Sequence, residues 1–301
     1  MTTIGVAALD FQFVRKEAIA TTRDLKAFQA ALAQRLKAIM AAHPDDYFEA
    51  IGIAVSGRLD RLSQRLVFAP HLPWDGCNLK QELEAATGLP VEIENTANAC
   101  ASAEISSGKY GEGVRNLLVV SVSEGIQVGM VLNGQMVLGR QGLAGEFGHV
   151  CLDADGPVCA CGGRGCWESF ASNTAAVNYY AEFLRASAAH PARISFENLL
   201  KLAAQNDARA REALHRMALS FGAGLAMLVT GLAPDVIVIV GEVTRAWPQV
   251  GEVVNQVLRE RVRLQCIPRV IPSEVEADLP LRGAVALALQ KCFGRSGQSQ
   301  Y

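Results

Sequence analysis

The sequence predicts an α/β protein built from two related domains with a cleft between them. Short apolar runs that stop at Gly or at polar residues, AIGIAV at 50–55 and VIVIV at 236–240, read as strands buried on both faces. Segments with apolar residues at helical spacing separate such runs. A ββ-then-αβα order occurs roughly twice along the chain, as expected for two α/β layers.

The opening, Thr3–Leu9 and then Phe13–Ala20, predicts two strands joined by a turn at Asp10-Phe11-Gln12. Leu25–Met40 predicts a helix, with Leu25, Phe28, Leu32, Leu36 and Ile39 on one face. Ala50–Val55 is a strand ended by Ser56-Gly57, Leu79–Ala86 a short helix, Val91–Glu94 a strand and Ala97–Ser106 an Ala-rich helix. The second set begins with strands at Asn116–Val122 and Ile126–Leu132, and Asn133-Gly134 is a hairpin turn signal. Gly139–Gly165 reads as a loop rich in Gly and Cys. Two or three helices are expected between Asn173 and Thr230, then a strand at Val236–Val240 and a helix at Val250–Val262. A late strand at Ile271 and an Ala-rich helix over Gly283–Cys292 close the chain.

Composition narrows the function classes. In 301 residues, 28 Lys and Arg stand against 30 Asp and Glu, a net charge of −2, and half the residues are apolar. That is the balance of a folded globular protein, with no basic footprint for nucleic acid or an anionic membrane. The longest apolar stretch, Phe221–Ala233, stops at Pro234-Asp235, short of the roughly 18 residues a spanning helix needs. The start has no basic n-region of a signal peptide, so a cytoplasmic location and no membrane partner are expected.

Of eight cysteines, Cys159, Cys161 and Cys166 are clustered, while Cys77, Cys100, Cys151, Cys266 and Cys292 are scattered and read as small buried apolar residues. The spacing His149-x9-Cys159-x-Cys161-x4-Cys166 supplies one imidazole and three thiolates. This is the Cys3His set that zinc takes in closed, structural sites. Gly162, Gly163 and Gly165 let the backbone curl around the ion. The bland alternative is three free thiols in a loop. Glu146 lies three residues before His149, and Glu168 two after Cys166. A metal-anchored loop would hold both carboxylates rigidly, and paired carboxylates beside a histidine suit hydroxyl-rich ligands. Without a metal they read as solvated loop charge. Asn95 or Thr96 could cap the following helix, and Gly57 lies past a strand end, where ligands dock on α/β sheets or where a turn needs glycine.

Taken together, IGIAVSGRLD (51–60), LPWDGCNLKQELEAATGLPVEIENTANACASAE (72–104), VLNG (131–134), GLAGEFGHV (142–150), CACGGRGCWE (159–168), PDVIVIVG (234–241) and LRGA (281–284) resemble the ROK family of repressors, open reading frames and sugar kinases. The resemblance covers nearly the whole chain. It implies the actin-like, hexokinase-type, ribonuclease H-like α/β fold, with a smaller N-terminal domain (1–107 plus 282–301) and a larger one (108–281) carrying the zinc loop. It maps zinc ligands onto His149, Cys159, Cys161 and Cys166, and sugar-binding positions onto Gly57, Asn95, Glu146, His149 and Glu168. It also implies pairing into a homodimer, with Val177, Tyr179, Tyr180 and Phe183 as contributing residues.

The departures from the family pattern fall on phosphoryl transfer. Family kinases carry Asn-Asp, with the Asp as general base, where this chain has Asn95-Thr96, and a threonine hydroxyl is far too weak a base. The phosphate-binding turn reads Ser123-Glu124-Gly125-Ile126-Gln127, with a carboxylate in place of a cradle. The nucleotide-side Gly-Gly is Gly241-Glu242. The DxGGTK loop and first strand would precede Thr2, so the chain opens at a segment resembling the family's second strand. The expectation is a sugar-sensing pseudo-kinase resembling the effector part of ROK transcriptional regulators, with structural zinc and no catalytic residue. DNA binding is expected only in a longer product, because no helix-turn-helix segment is read in this sequence. The alternatives are an active sugar kinase using ATP and Mg2+, and a purely structural zinc protein.

Overall fold

A computed structural model describes residues 1–60, 62–69, 72–111, 113–186, 194–262, 267–274 and 278–293. In chain order the elements are β1 (Thr2–Ala7), β2 (Phe13–Ile19), α1 (Leu25–Ala41), β3 (Ile51–Val55), β4 (Arg58–Asp60), β5 (Arg65–Phe68), α2 (Leu79–Thr87), β6 (Val91–Asn95), α3 (Thr96–Ser106), β7 (Leu117–Val122), β8 (Ile126–Leu132), β9 (Gln135–Met136), α4 (Glu168–Ala171), α5 (Asn173–Ala186), α6 (Phe196–Ala204), α7 (Ala208–Leu232), β10 (Val236–Val240), α8 (Trp247–Arg261), β11 (Arg269–Pro272) and α9 (Leu279–Phe293). Short 3-10 turns occupy Arg140–Gly142, Phe147–His149 and Glu242–Ala246.

Unit 1 comprises Met1–Lys109, Leu138–Ala144 and Asp278–Tyr301. The segment 138–144, assigned by sequence to the larger domain, therefore belongs here. β1 and β2 pair antiparallel across the expected turn, where Asp10 Oδ1 accepts from the Gln12 N–H and Phe11 adopts φ 68°. α1 starts at Asp24, whose carboxylate accepts from the Ala27 N–H, and buries Phe28, Leu32 and Ile39. β3 pairs parallel with β6 in a two-stranded sheet. Every residue of β3 is half-buried, which corrects the expectation of a strand covered on both faces: among the described residues it has one strand neighbour. α9 lies close against this pair. A Cβ on Gly52 would meet the Ala284 carbonyl oxygen at 1.7 Å, and one on Gly283 would meet the Ala99 backbone at 2.5 Å. The Ala-rich composition of α3 and α9 is what permits that approach.

Unit 2 comprises Tyr110–Val137 and Gly145–Ala277. Its five-stranded sheet has the order β11-β10-β7-β8-β9. β10 runs parallel to both β7 and β11, while β7, β8 and β9 are successively antiparallel. Asn133 (φ 54°) and Gly134 (φ 78°) make the expected hairpin turn. All of β10 is buried.

α7 is 25 residues long, nearly twice the apolar run read from the sequence, because its first turns carry Arg and Glu on one face and buried Ala and Leu on the other. By length and composition it could cross a membrane, but 61% of its most apolar window is buried inside the protein, as in a core helix. α8 begins at Trp247, earlier than predicted, since Pro248 is tolerated in a first turn. Cys77 and Cys100 are buried as expected, whereas Cys151 is exposed and Cys292 partly so. Cys266 lies outside the described residues.

Candidate functional site

The loop between the 3-10 turn at Phe147–His149 and α4 is fastened by short backbone bridges. Cys151 pairs with Cys166 and Val158 with Arg164. Leu152 N–H donates to Gly165 O at 2.7 Å, and Trp167 N–H to Val150 O at 2.9 Å. Gly165 turns at φ 63°, and a Cβ there would sit 1.5 Å from Asp153 O, so only glycine fits. Gly162 also has positive φ, 89°. Gly163 does not; its contribution is an N–H 3.4 Å from Cys161 Sγ.

This folding brings His149, Cys159, Cys161 and Cys166 together, with their ligand atoms all within 4.8 Å of one another. His149 Nδ1 is 3.7 Å from Cys159 Sγ, and Cys161 Sγ is 3.6 Å from Cys166 Sγ. Burial pushes the Cys159 thiol up and that of Cys166 up to about 12, while the Gly163 N–H lowers Cys161. One imidazole nitrogen and three sulfurs converge on a single point, so the donor set suits a soft divalent metal ion.

Glu146 and Glu168 flank this cluster. His149 Nε2 lies 3.6 Å from Glu146 Oε2, and His149 Nδ1 lies 3.5 Å from Glu168 Oε1. The imidazole therefore faces the sulfurs and Glu168 with one nitrogen and Glu146 with the other. Glu168 Oε2 accepts the Ile126 N–H at 3.3 Å, and the Cys159 thiol faces Oε1 at 3.2 Å.

The remaining sequence-predicted positions lie in unit 1, at the carboxyl edge of the β3–β6 pair, where Val55 is opposite Asn95. Asn95 caps α3: its Oδ1 accepts the Asn98 N–H at 2.8 Å, and Thr96 is the first helical residue. The cap uses the acceptor oxygen; the side-chain NH2 is a separate donor group. Gly57 has a packing reason of its own, since a Cβ would meet Phe68 O at 2.4 Å.

Three features escaped the sequence reading. Glu94 Oε1 accepts from the Asn95 N–H at 2.8 Å and from Asn98 Nδ2 at 3.3 Å, bracing the start of α3. Asn173, at the head of α5, donates its N–H to Ser123 O at 2.8 Å and its side-chain amide to Glu242 Oε2 at 3.3 Å. Trp167, fully buried, links the cysteine-rich loop to α7 through Ser220 O at 3.1 Å. Only the last had a signal in the sequence, an aromatic set directly between a candidate ligand and a candidate carboxylate.

The His149, Cys159, Cys161 and Cys166 cluster sits on a two-unit α/β chain. The chain belongs to the ROK family, whose model matches residues 1–291. It is 30% identical over 249 residues to the xylose repressor of Bacillus spizizenii, covering 80% of this chain and 61% of that one. It is 33% identical over 203 residues to a glucokinase of Streptomyces coelicolor, covering 64% of each. It therefore spans less than two thirds of either relative. A ROK family glucokinase from Streptomyces griseus, solved in complex with glucose and AMPPNP, matches with a TM-score of 0.83 at 27% identity over 95% of each chain. The fold is thus the actin-like two-domain α/β fold of ROK sugar kinases and regulators. Repressors and kinases both stand among its relatives.

Proposed function

We propose that this chain is the sugar-sensing part of a ROK-type transcriptional regulator, a pseudo-kinase that binds a hexose or amino sugar and does not phosphorylate it. The observation that carries this reading is a pair of carboxylates at the carboxyl ends of adjacent parallel strands. Glu124 follows β7 and Glu242 follows β10, whose ends are in register at Ser121 and Val240. Ligands of open α/β sheets dock outside such ends. Two negative groups there repel a polyphosphate. Glu242 is moreover held by Asn173. Thr96, where the resemblance assigns the general base, is the first residue of α3 and offers only a hydroxyl.

In this reading the sugar-binding positions are Gly57, Asn95, Glu146, His149 and Glu168, as the resemblance implies. Zinc would be held by His149, Cys159, Cys161 and Cys166, and when bound it supplies a structural cross-link to the loop. His149 Nδ1 belongs to the metal side of that arrangement, which leaves Nε2 turned toward Glu146. The reading includes a homodimer, and DNA contact only if a longer product exists. The competing reading, an active sugar kinase, draws on the likeness to a glucokinase solved with glucose and AMPPNP.

Calorimetry with D-glucose, D-xylose and N-acetylated hexoses, run beside a coupled ADP assay, separates the two. The expected result is binding of at least one sugar with no sugar-dependent ADP release. Thr96→Asp is expected to leave the ADP signal at background, although a positioned base contributes about 10²–10⁴-fold in a working site. Robust sugar-dependent ADP release by the unaltered chain would overturn the reading.

A further inference from the structure

We infer that the turn Ser123–Ile126 is a clasp for the Glu168 carboxylate, and that Gly125 is the positioning residue that makes room for it. This rests on the reading of Glu168 as a sugar-binding group. The resemblance assigns the turn to phosphate; in this chain its backbone serves a carboxylate. Ile126 N–H donates to Glu168 Oε2 at 3.3 Å. A Cβ on Gly125 would sit 2.6 Å from that same oxygen, with no other atom outside its immediate chain neighbours closer than the Glu168 carboxyl carbon at 3.5 Å. A Cβ on Gly148 would approach it from the other strip of chain, at 3.3 Å. Glu168 Oε2 is thus seated between two glycines and one donor. Oε1 is left facing His149 Nδ1 and Cys159 Sγ.

The turn is held independently of Glu168. Ser123 N–H donates to Gly125 O at 2.9 Å, and Ser123 O accepts the Asn173 N–H at 2.8 Å. The clasp is therefore preformed, and it fixes the direction of a side chain with three rotatable bonds. Such fixing matters for a binding carboxylate, because a group already held in place loses little rotamer freedom when a ligand arrives.

The two glycines differ in a way that makes the inference testable. Gly148 cannot be enlarged without breaking the fold, since its Cβ would strike the Ile126 carbonyl oxygen at 2.2 Å. Gly125 has no positive φ, and its Cβ would meet only the movable end of Glu168. Gly125→Ala should leave the backbone intact and evict the carboxylate.

The test is a double-mutant cycle on the full chain, with D-glucose and D-xylose as probes in calorimetry. Gly125→Ala and Glu168→Ala are each expected to weaken binding by about ten- to a hundredfold, the scale of a lost charge-assisted hydrogen bond, while the double variant is no weaker than Glu168→Ala alone. Gly231→Ala, on an exposed part of α7 with open space around it, should leave affinity unchanged. Metal content should stay at the level of the unaltered chain in all of them. A Gly125→Ala protein that binds normally while Glu168→Ala does not would sink the clasp and spare the sugar reading. Normal binding by Glu168→Ala, or no binding of either sugar by the unaltered chain, counts against the sugar reading. The clasp is then judged by hydrogen exchange: Gly125→Ala must speed exchange of the Ile126 amide as much as Glu168→Ala does, and an unchanged Ile126 amide rejects it.

Discussion

β3 (IGIAV) and β10 (VIVIV) have the same length and almost the same apolar content, yet every residue of β10 is buried and every residue of β3 is only partly buried. The difference lies in their neighbours. β10 has a parallel strand on each edge; β3 has β6 on one edge, with α9 packed close at Gly52. An apolar run is necessary for a buried strand, but the sheet around it decides how much water is removed. The two units accordingly rest on different supports, a broad sheet in unit 2 and helix packing over a narrow strand pair in unit 1.

The largest effects should fall on β10. Ile239→Ala, at a site 0% exposed, is expected to destabilise unit 2 by about 2–5 kcal/mol, the usual cost of emptying a buried aliphatic position. Ile53→Ala in β3 removes less buried surface and should cost about 1–2 kcal/mol. Urea unfolding, with hydrogen exchange reporting each unit, measures both. Equal losses would erase the contrast between the strands.

Metal removal sharpens the contrast by touching one unit only. Protein purified without chelators is expected to carry one zinc per chain by elemental analysis, and Cys161→Ser to carry well under one. Chelation should raise exchange across Gly145–Glu168 and leave β1 and β3 unaltered. Faster exchange in β3 on chelation would mean that the two units are not supported separately.

The smallest effect concerns unit 1. Glu17 on β2 forms ion pairs with Arg35 of α1 and with Arg15, and the Arg35 guanidinium holds its carboxyl below the usual carboxylate value. The folded pKa is depressed, so the contribution is complete above the ordinary carboxylate range and is lost as pH falls through the lowered value. The pair is near the surface, so Glu17→Gln should flatten only slightly the acid side of a stability-versus-pH curve. An unchanged acid slope would remove this tie between β2 and α1.

Much of this was legible in the sequence because it depends on local pattern. The β10 run, the Asn133-Gly134 turn and the His149–Cys166 ligand spacing each carry their own physical signature. The hairpin of β4 and β5 was missed because its strands are only three and four residues long, too short for a periodic signal. α4 is a four-residue helix with no room for a periodic signal. The exposure of Cys151 could not be read either: Cys151 is exposed while Cys166, its partner in a short backbone bridge, is buried. The seat of Glu168 is a meeting of residues 42 and 20 positions apart in the chain, at Ile126 and Gly148, and no window of sequence contains it.

The placement of Trp167 has an optical consequence. Its indole is wholly buried, stacks on Phe221 at 5.8 Å, and lies in the chain between the candidate metal ligand Cys166 and the carboxylate Glu168. Unit 1 has its own buried indole, Trp74, stacked on Phe28 at 4.6 Å. Of the three tryptophans in the chain, one therefore lies in the core of each unit and the third, Trp247, heads α8. Emission from an indole shifts with the polarity and the quenchers around it. With Trp74 and Trp247 changed to phenylalanine, the indole emission that remains comes from the residue that joins the Cys166 end of the His/Cys cluster to Glu168, and it reports on that stretch of chain by light.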